Sequence, residues 1–259
     1  MKFKTLVTKK KNKELKDYLK KYNLSDIFQK KNFKVRKINQ MKDDKSFQPE
    51  LDELFLLHNY IIKYRRMTIL EFGNGWSTLV MANALAYNKK KYLNQTKKLR
   101  MNNAGELHSI DNNKSWIKKT KNKLKNLKHI VKFHFSEVLM DDFNGRICTS
   151  FKNLPTINPD FIYLDGPDQF NVKGNINGIN IAHKDFMPMT SDLLKIEHYL
   201  KPGTIIVVDG RAANSRFLRS NFQRKWFYFY NSINDQHVFC LEEKPLGNLN
   251  KQQLNFYFK

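Results

Sequence analysis

Residues 69–78, Ile-Leu-Glu-Phe-Gly-Asn-Gly-Trp-Ser-Thr, constrain the fold of this chain more than any other stretch. A mostly apolar run from Met67 to Leu70 leads to an acid, Glu71. A turn with Gly73 and Gly75 follows, and Ser77 then opens an apolar helical pattern of Leu79, Val80 and Ala84. The order is strand, tight turn, helix. Glycine lets the backbone of such a turn come close to a small ligand, and the helix N-terminus offers it unpaired N–H groups. The expectation is a nucleotide-type cofactor site and hence an enzyme.

The rest of the chain alternates strands and helices. Strands are expected at 67–72, 106–110, 130–135, 160–164 and 204–208, and helices at 77–87, 113–127, 189–200 and 213–222. Two late strands, 226–230 and 237–241, are joined by a turn-like 232–236. The pattern predicts an α/β, doubly wound, Rossmann-like sheet, mostly parallel, with an antiparallel edge hairpin and helices on both faces. Pro49 starts an earlier helix, with Glu50, Asp52 and Glu53 in its first turn, where negative charge suits the macrodipole. Leu51, Leu54, Phe55, Ile61 and Ile62 form its apolar stripe; His58 falls on that face as a packed residue. The expected domains are a basic, partly helical N-terminal extension over 1–47 (helix at 12–22), a main domain over 48–245, and a C-terminal tail over 246–259. Within the main domain, the polar, Asn-rich segment 88–105 reads as an inserted loop.

At 259 residues the chain can bury a substantial core. It has no apolar run near the roughly 20 residues that cross a bilayer, and the apolar part of its N-terminus is too short for a signal peptide. Cys148 and Cys240 are isolated, so neither a disulfide framework nor a cysteine-rich metal site is implied, and a reducing, cytoplasmic setting fits best. The formal charge of +23 admits a polyanion partner. The Lys residues are scattered, however, and lack the aromatic-basic signature of an RNA-binding module. A Lys/Asn/Ile/Phe-rich composition of the kind an AT-rich genome produces is the preferred reading of that charge.

Four expected strands end in acids: Glu71, Asp111, Asp165 and Asp209. In an open α/β sheet, ligands bind beyond the carboxyl ends of the strands, so these acids converge on one crevice. A dinucleotide fingerprint requires G-x-G-x-x-G. Gly73 and Gly75 fit, but position 78 is Thr, which weakens NAD or FAD; no P-loop pattern follows either. A phosphate-free cofactor with a ribose and an amino-acid moiety fits better, with Asp111 accepting hydrogen bonds from the ribose hydroxyls. Asp111 lies forty residues beyond Glu71, against about 20 in dinucleotide folds; the insertion at 88–105 accounts for the excess.

With these residues in place the chain resembles the class I S-adenosylmethionine-dependent methyltransferases. The matching segments are 69–78, His108-Ser109-Ile110-Asp111, residues 160–167 (Asp-Phe-Ile-Tyr-Leu-Asp-Gly-Pro) and residues 201–209 (Lys-Pro-Gly-Thr-Ile-Ile-Val-Val-Asp). They extend over roughly residues 50–243. The resemblance implies S-adenosyl-L-methionine as cofactor. Glu71, Gly73 and Gly75 would line its methionine end, Asp111 would hold its ribose, Ser136 or Glu137 would lie near its adenine, and Asn74, Ser77 and Asn112 are further cofactor-binding candidates. Asp165 and Asp209 stand where a subgroup similar to the catechol and caffeoyl-CoA O-methyltransferases binds a divalent cation. They are therefore candidate catalytic residues and candidate Mg²⁺ ligands. That subgroup has Asn after its strand 5 acid and Lys just after strand 4; here Gly210 and Asp168 occupy those positions.

The long polar segment 165–189 is expected to cover the acceptor, with His183 as general base. Arg211 and Arg216 are candidates for holding an anionic group of the acceptor. The aromatic run at 226–230 reads as edge-strand packing. The acceptor implied is a small molecule or saccharide hydroxyl. The alternatives are an RNA or DNA methyltransferase and a non-catalytic cofactor-binding protein of the same fold. Against the nucleic-acid reading, Asp165-Gly166-Pro167-Asp168 lacks a second proline and an aromatic residue, and neither cysteine sits in the setting of a C5-methylation nucleophile. The sequence leaves the oligomeric state open.

Overall fold

A computed structural model of the protein describes residues 3–29 and 48–259. The remainder of the expected N-terminal extension, residues 1–2 and 30–47, lies outside the described residues. Along the chain run α1 (Asn12–Lys21), α2 (Asp26–Gln29), α3 (Leu51–Lys63), β1 (Thr68–Phe72), α4 (Trp76–Thr96), β2 (Glu106–Asp111), α5 (Lys114–Lys123), β3 (Val131–Phe135), β4 (Val138–Phe143), β5 (Arg146–Phe151), β6 (Phe161–Leu164), β7 (Val172–Lys173), α6 (Asp192–Ile196), β8 (Ile205–Asp209), α7 (Ala212–Asn221), β9 (Trp226–Asn231), β10 (Gln236–Leu241) and α8 (Gly247–Tyr257).

Seven strands make one sheet in the order β3-β2-β1-β6-β8-β10-β9. The first five are mutually parallel, and β10 runs antiparallel to both β8 and β9. The chain thus starts at the centre, moves outward through β2 and β3, and crosses back to β6. The reversal leaves a topological switch point between β1 and β6, where an open α/β sheet binds its ligands. The doubly wound expectation therefore holds, including the antiparallel edge. The central strands are buried on both faces, so they read as continuous apolar runs rather than as alternation. Ile69, Phe161 and Ile205 face a core shared with α3 and α4, while Leu70, Ile162 and Ile206 face a second core containing Leu193 and Leu218.

The N-terminal segment packs on this body. Phe3 stacks among Tyr60, Tyr64 and Phe227, and Thr8 exchanges backbone hydrogen bonds with the Asn234 side chain. His58 is fully buried, 2.8 Å from the Tyr18 hydroxyl and 3.1 Å from Asn83 Oδ1. Burial pushes its pKa down to about 4, in keeping with a packed residue.

The structure corrects the sequence reading at several places. Segment 88–105 does not begin as a loop, because α4 continues to Thr96. Its polar look comes from the exposed face; Asn88, Tyr92 and Thr96, one turn apart, are buried, and Asn88 Nδ2 donates to the carbonyls of Ile61 and Arg66. The expected tail contains α8, whose Phe256 packs edge-on against Tyr92. The expected helix at 189–200 is only the short α6 followed by a 3₁₀ turn. A hairpin, β4–β5, lies between β3 and β6 and pairs with β7 in a second small sheet. Its signal was present: Asn144-Gly145, both at positive φ (52° and 76°), is the dipeptide that suits a tight hairpin turn.

One buried pair ties the amino ends of the strands together. The Asp160 carboxylate, just before β6, accepts the backbone N–H groups of Met67 and Thr68. Arg66 Nη1 donates to the carbonyls of Asp160 (3.3 Å) and Gly203 (2.8 Å), and its guanidinium lies 4.5 Å from the Tyr257 ring centre. Burial raises the Asp160 pKa to about 6 against the opposing pull of Arg66. Replacing Arg66 by Met should lower the unfolding free energy by about 3 kcal/mol, because buried acceptors and a carboxyl lose their cation. Asp160 is neutral at pH 5 and costly to ionise at pH 8, so the loss should be larger at pH 8. Urea unfolding at both pH values measures it, and equal losses would mean that Arg66 acts through packing alone.

Candidate functional site

The cavity at the switch point begins with two glycines. Gly73, at φ +86°, ends β1, and Gly166 follows the end of β6. A Cβ on Gly166 would fall 2.5 Å from the Gly73 nitrogen, and one on Gly73 3.1 Å from the Asp165 carbonyl. The two turns therefore meet backbone to backbone. Above them opens a cavity of about 490 Å³, lined by the turn 73–77, by Asp111, Asn112 and Trp116, by residues 165–168, and by Asp209, Gly210 and Arg211.

Glu71 does not line this cavity. It is fully buried beneath the turn, where its carboxyl oxygens accept hydrogen bonds from Ser77 Oγ and Thr78 Oγ1, both at 2.7 Å. Thr78 Oγ1 in turn accepts the Gly75 N–H at 3.0 Å. The residue that replaces the third glycine of a dinucleotide motif thus links the strand-end acid to the start of α4. Burial raises the Glu71 pKa to about 8, partly offset by these hydroxyls.

At the end of β2, Asp111 Oδ1 accepts the Asn113 N–H at 2.7 Å, and Oδ2 accepts Asn74 Nδ2 at 2.8 Å. Asn74 is held from its other side by the Thr120 hydroxyl at 2.7 Å. Asn113 caps α5 by accepting the N–H groups of Ser115 and Trp116. The carboxylate is thereby fixed at the cavity wall, and burial raises its pKa to about 7. Trp76 and Trp116 flank it, and Lys123 Nζ stands 4.3 Å from the Trp76 ring centre.

The opposite wall is built by β6, β8 and α3. Asp209 closes β8 at the cavity. The Tyr163 hydroxyl donates to Glu53 Oε1, and both side chains are buried. Burial raises the Glu53 pKa well above the carboxylate range, and the Asp209 and Asp165 charges add to the effect. Asp165 is half-exposed and paired with Arg211 Nε at 3.5 Å; Arg211 also donates to the carbonyls of Asp165 and Pro167. The wall is rich in acids: Glu50, Glu53, Asp111, Asp165, Asp168, Asp209 and Asp235 line the cavity, against Lys123 and Arg211. In a chain of net charge +23, the sign of this cavity is inverted.

Of the residues expected from sequence, Gly73, Asn74, Gly75, Ser77, Asp111, Asn112, Asp165 and Asp209 come together here. Three do not. Glu71 lies behind the turn. Glu137 pairs with Lys173 and Lys152 outside the cavity, beside the buried Ser136. His183 sits exposed in its loop, with Nδ1 accepting the Asp185 N–H and its ring against Phe186. Arg216 also lies outside the cavity. At the candidate cation ligands, Arg211 Nε pairs with Asp165, and among the described residues no three His, Cys, Asp or Glu side chains converge as ligands. Sequence reading missed Glu53, Tyr163, Trp116 and Asp235. For Glu53 a signal existed: it shares one helix face with Leu57 and Tyr60, so it is an acid on the buried stripe of α3.

No helix among the described residues is long and apolar enough to cross a membrane. No protein-family model matches the chain, and comparison with curated sequences gives no match. Solved structures do match. The O-methyltransferase TomG of Streptomyces achromogenes, in complex with SAM, is 13% identical, with 92% of this chain and 93% of that one covered and a TM-score of 0.41. An O-methyltransferase of Bacillus cereus, in complex with SAH, is 13% identical, with 92% and 94% covered and a TM-score of 0.42. A putative RNA methyltransferase of Pyrococcus horikoshii is 13% identical, with 87% and 100% covered and a TM-score of 0.36. All three structures are methyltransferases of low sequence identity to this chain.

Proposed function

We propose that the protein is an S-adenosylmethionine-dependent methyltransferase acting on a hydroxyl of a small molecule or saccharide. The observation that carries this reading is the acid-lined cavity at the switch point of a strongly basic chain. Carboxylates suit a ligand that carries a sulfonium and an ammonium; they repel a pyrophosphate. The same repulsion disfavours a nucleic-acid strand, whose backbone would have to enter beside Asp165, Asp168 and Asp209. The buried free thiols of Cys148 and Cys240 suit a reducing compartment such as the cytoplasm.

When bound, S-adenosylmethionine supplies an electrophilic methyl group. The chain supplies the rest. Asp111 accepts the hydrogen bonds of the ribose hydroxyls, and Asn74 and Asn113 hold its carboxylate in place. Gly73 and Gly166 keep side chains out of the turn, so the methionine end can approach the backbone. Glu53 takes the place expected for His183. It stands in the cavity wall beside Asp209, and we assign it the proton of the acceptor hydroxyl on that position. The Tyr163 hydroxyl fixes its orientation.

Calorimetry with S-adenosylhomocysteine tests the reading. Saturable binding is expected, and absence of binding would remove it. Asp111→Ala should weaken that binding at least tenfold. In the unchanged protein affinity should fall as pH drops from 8 to 5.5, because Asp111 takes up a proton at about pH 7. The expected loss is roughly tenfold or more; a flat profile would dissociate Asp111 from the ligand. Glu53→Gln should leave this affinity within about twofold while lowering turnover with an identified acceptor by about a hundredfold or more. Unchanged turnover would assign the proton to another group.

A further inference from the structure

A second cavity, of about 580 Å³, opens at the other end of the same strands. Its size lies within the range of small-molecule sites. Thr68 of β1, Asp160 before β6 and Thr204 before β8 form its inner wall, so it sits beneath the amino ends of the strands whose carboxyl ends carry the first cavity. Leu70, Leu154, Ile157, Ile196 and Leu200 give it an apolar floor.

Its charge is the reverse of the first. Arg100 and Lys201 both line it, and neither side chain has a hydrogen bond or ion pair among the described residues. Asp160 is the sole acid in the wall, and its carboxylate is engaged by the N–H groups of Met67 and Thr68. Burial and the nearby Arg100 charge both lower the Lys201 pKa, and the Asp160 charge opposes them. The backbone around both is fixed: Gln253 Nε2 donates to the Arg100 carbonyl at 2.7 Å, and Thr204 Oγ1 to the Lys201 carbonyl at 2.8 Å. The cations are thus anchored by α8 and by the approach to β8.

We infer that this rear cavity is a second ligand site, for a small organic anion whose carboxylate or phosphate head pairs with Arg100 and Lys201 and whose apolar body lies on the Leu/Ile floor. The site is independent of the methyl-transfer reading. A cationic cofactor would be repelled from it, as an anion would be from the front cavity.

The test uses the full chain and 1-naphthyl phosphate in calorimetry. One saturable site per chain is expected, unaffected by saturating S-adenosylhomocysteine. The double variant Arg100→Gln/Lys201→Met should bind at least tenfold more weakly, with an unchanged circular dichroism spectrum. Leu154→Ala, which acts on the floor alone, should weaken binding severalfold. Inorganic phosphate should bind at least tenfold more weakly than the naphthyl ester. The control pair Lys118→Gln/Lys121→Gln, exposed on α5, should change nothing. The inference is overturned by absence of saturation, by full affinity in the double variant, by an equal loss in the α5 control, by displacement with S-adenosylhomocysteine, or by inorganic phosphate binding as tightly as the ester.

Discussion

The buried carboxyl of Glu71 is the constraint on which the front of the molecule depends. A carboxyl with no solvent contact must find its hydrogen bonds inside the protein. Here the donors are the hydroxyls of Ser77 and Thr78, in the first turn of α4. Strand and helix are therefore joined by more than the turn between them. That brace lets Gly73 and Gly75 lie open to a ligand without the turn having to stabilise itself through its own side chains. The acid at the end of a motif of this kind need not touch the ligand to determine the shape of its site.

Electrostatics separates the two ends of the sheet. Most of the surface is basic, yet the crevice between β1 and β6 is lined by carboxylates. Burying acids in a partly dry space, and crowding them there, costs free energy, which shows as raised pKa values at Glu53 and Asp111. A cationic ligand relieves that cost and an anionic one increases it. The charge of the whole chain thus says little about what enters the crevice, whereas the local sign says a great deal.

Much of the fold was legible because its central strands are apolar runs ended by acids or glycines, a signal that tertiary context does not override. The turn at 73–77, Asp111, Asp165 and Asp209 meet at one cavity because a parallel sheet delivers all its strand ends to the same side. What escaped had specific causes. Glu53 precedes the first strand by a whole helix, and only three-dimensional packing brings α3 over the crevice. Helix α4 outran its expected end because its inward face past residue 87 is Asn, Tyr and Thr, which hydropathy reads as solvent. His183 has suitable chemistry within a long loop, but loop position carries no direction, and it does not line the crevice.

The rear of the sheet follows from the same topology. Parallel strands that gather acids at their carboxyl ends must also gather their connections at the amino ends, and here those connections pass residues 66–68, 158–160 and 201–204. Arg66 satisfies the carbonyls exposed there while α8 covers it with Tyr257 and Phe258. The guanidinium is buried by aromatic rings rather than by carboxylates, so the one acid nearby, Asp160, is free to collect backbone N–H groups instead. Because Arg66 and Asp160 are both committed inward, the cations outside them, Arg100 and Lys201, keep their charge facing the rear cavity. The arrangement that closes the fold at this end is therefore the one that leaves its outer surface positive.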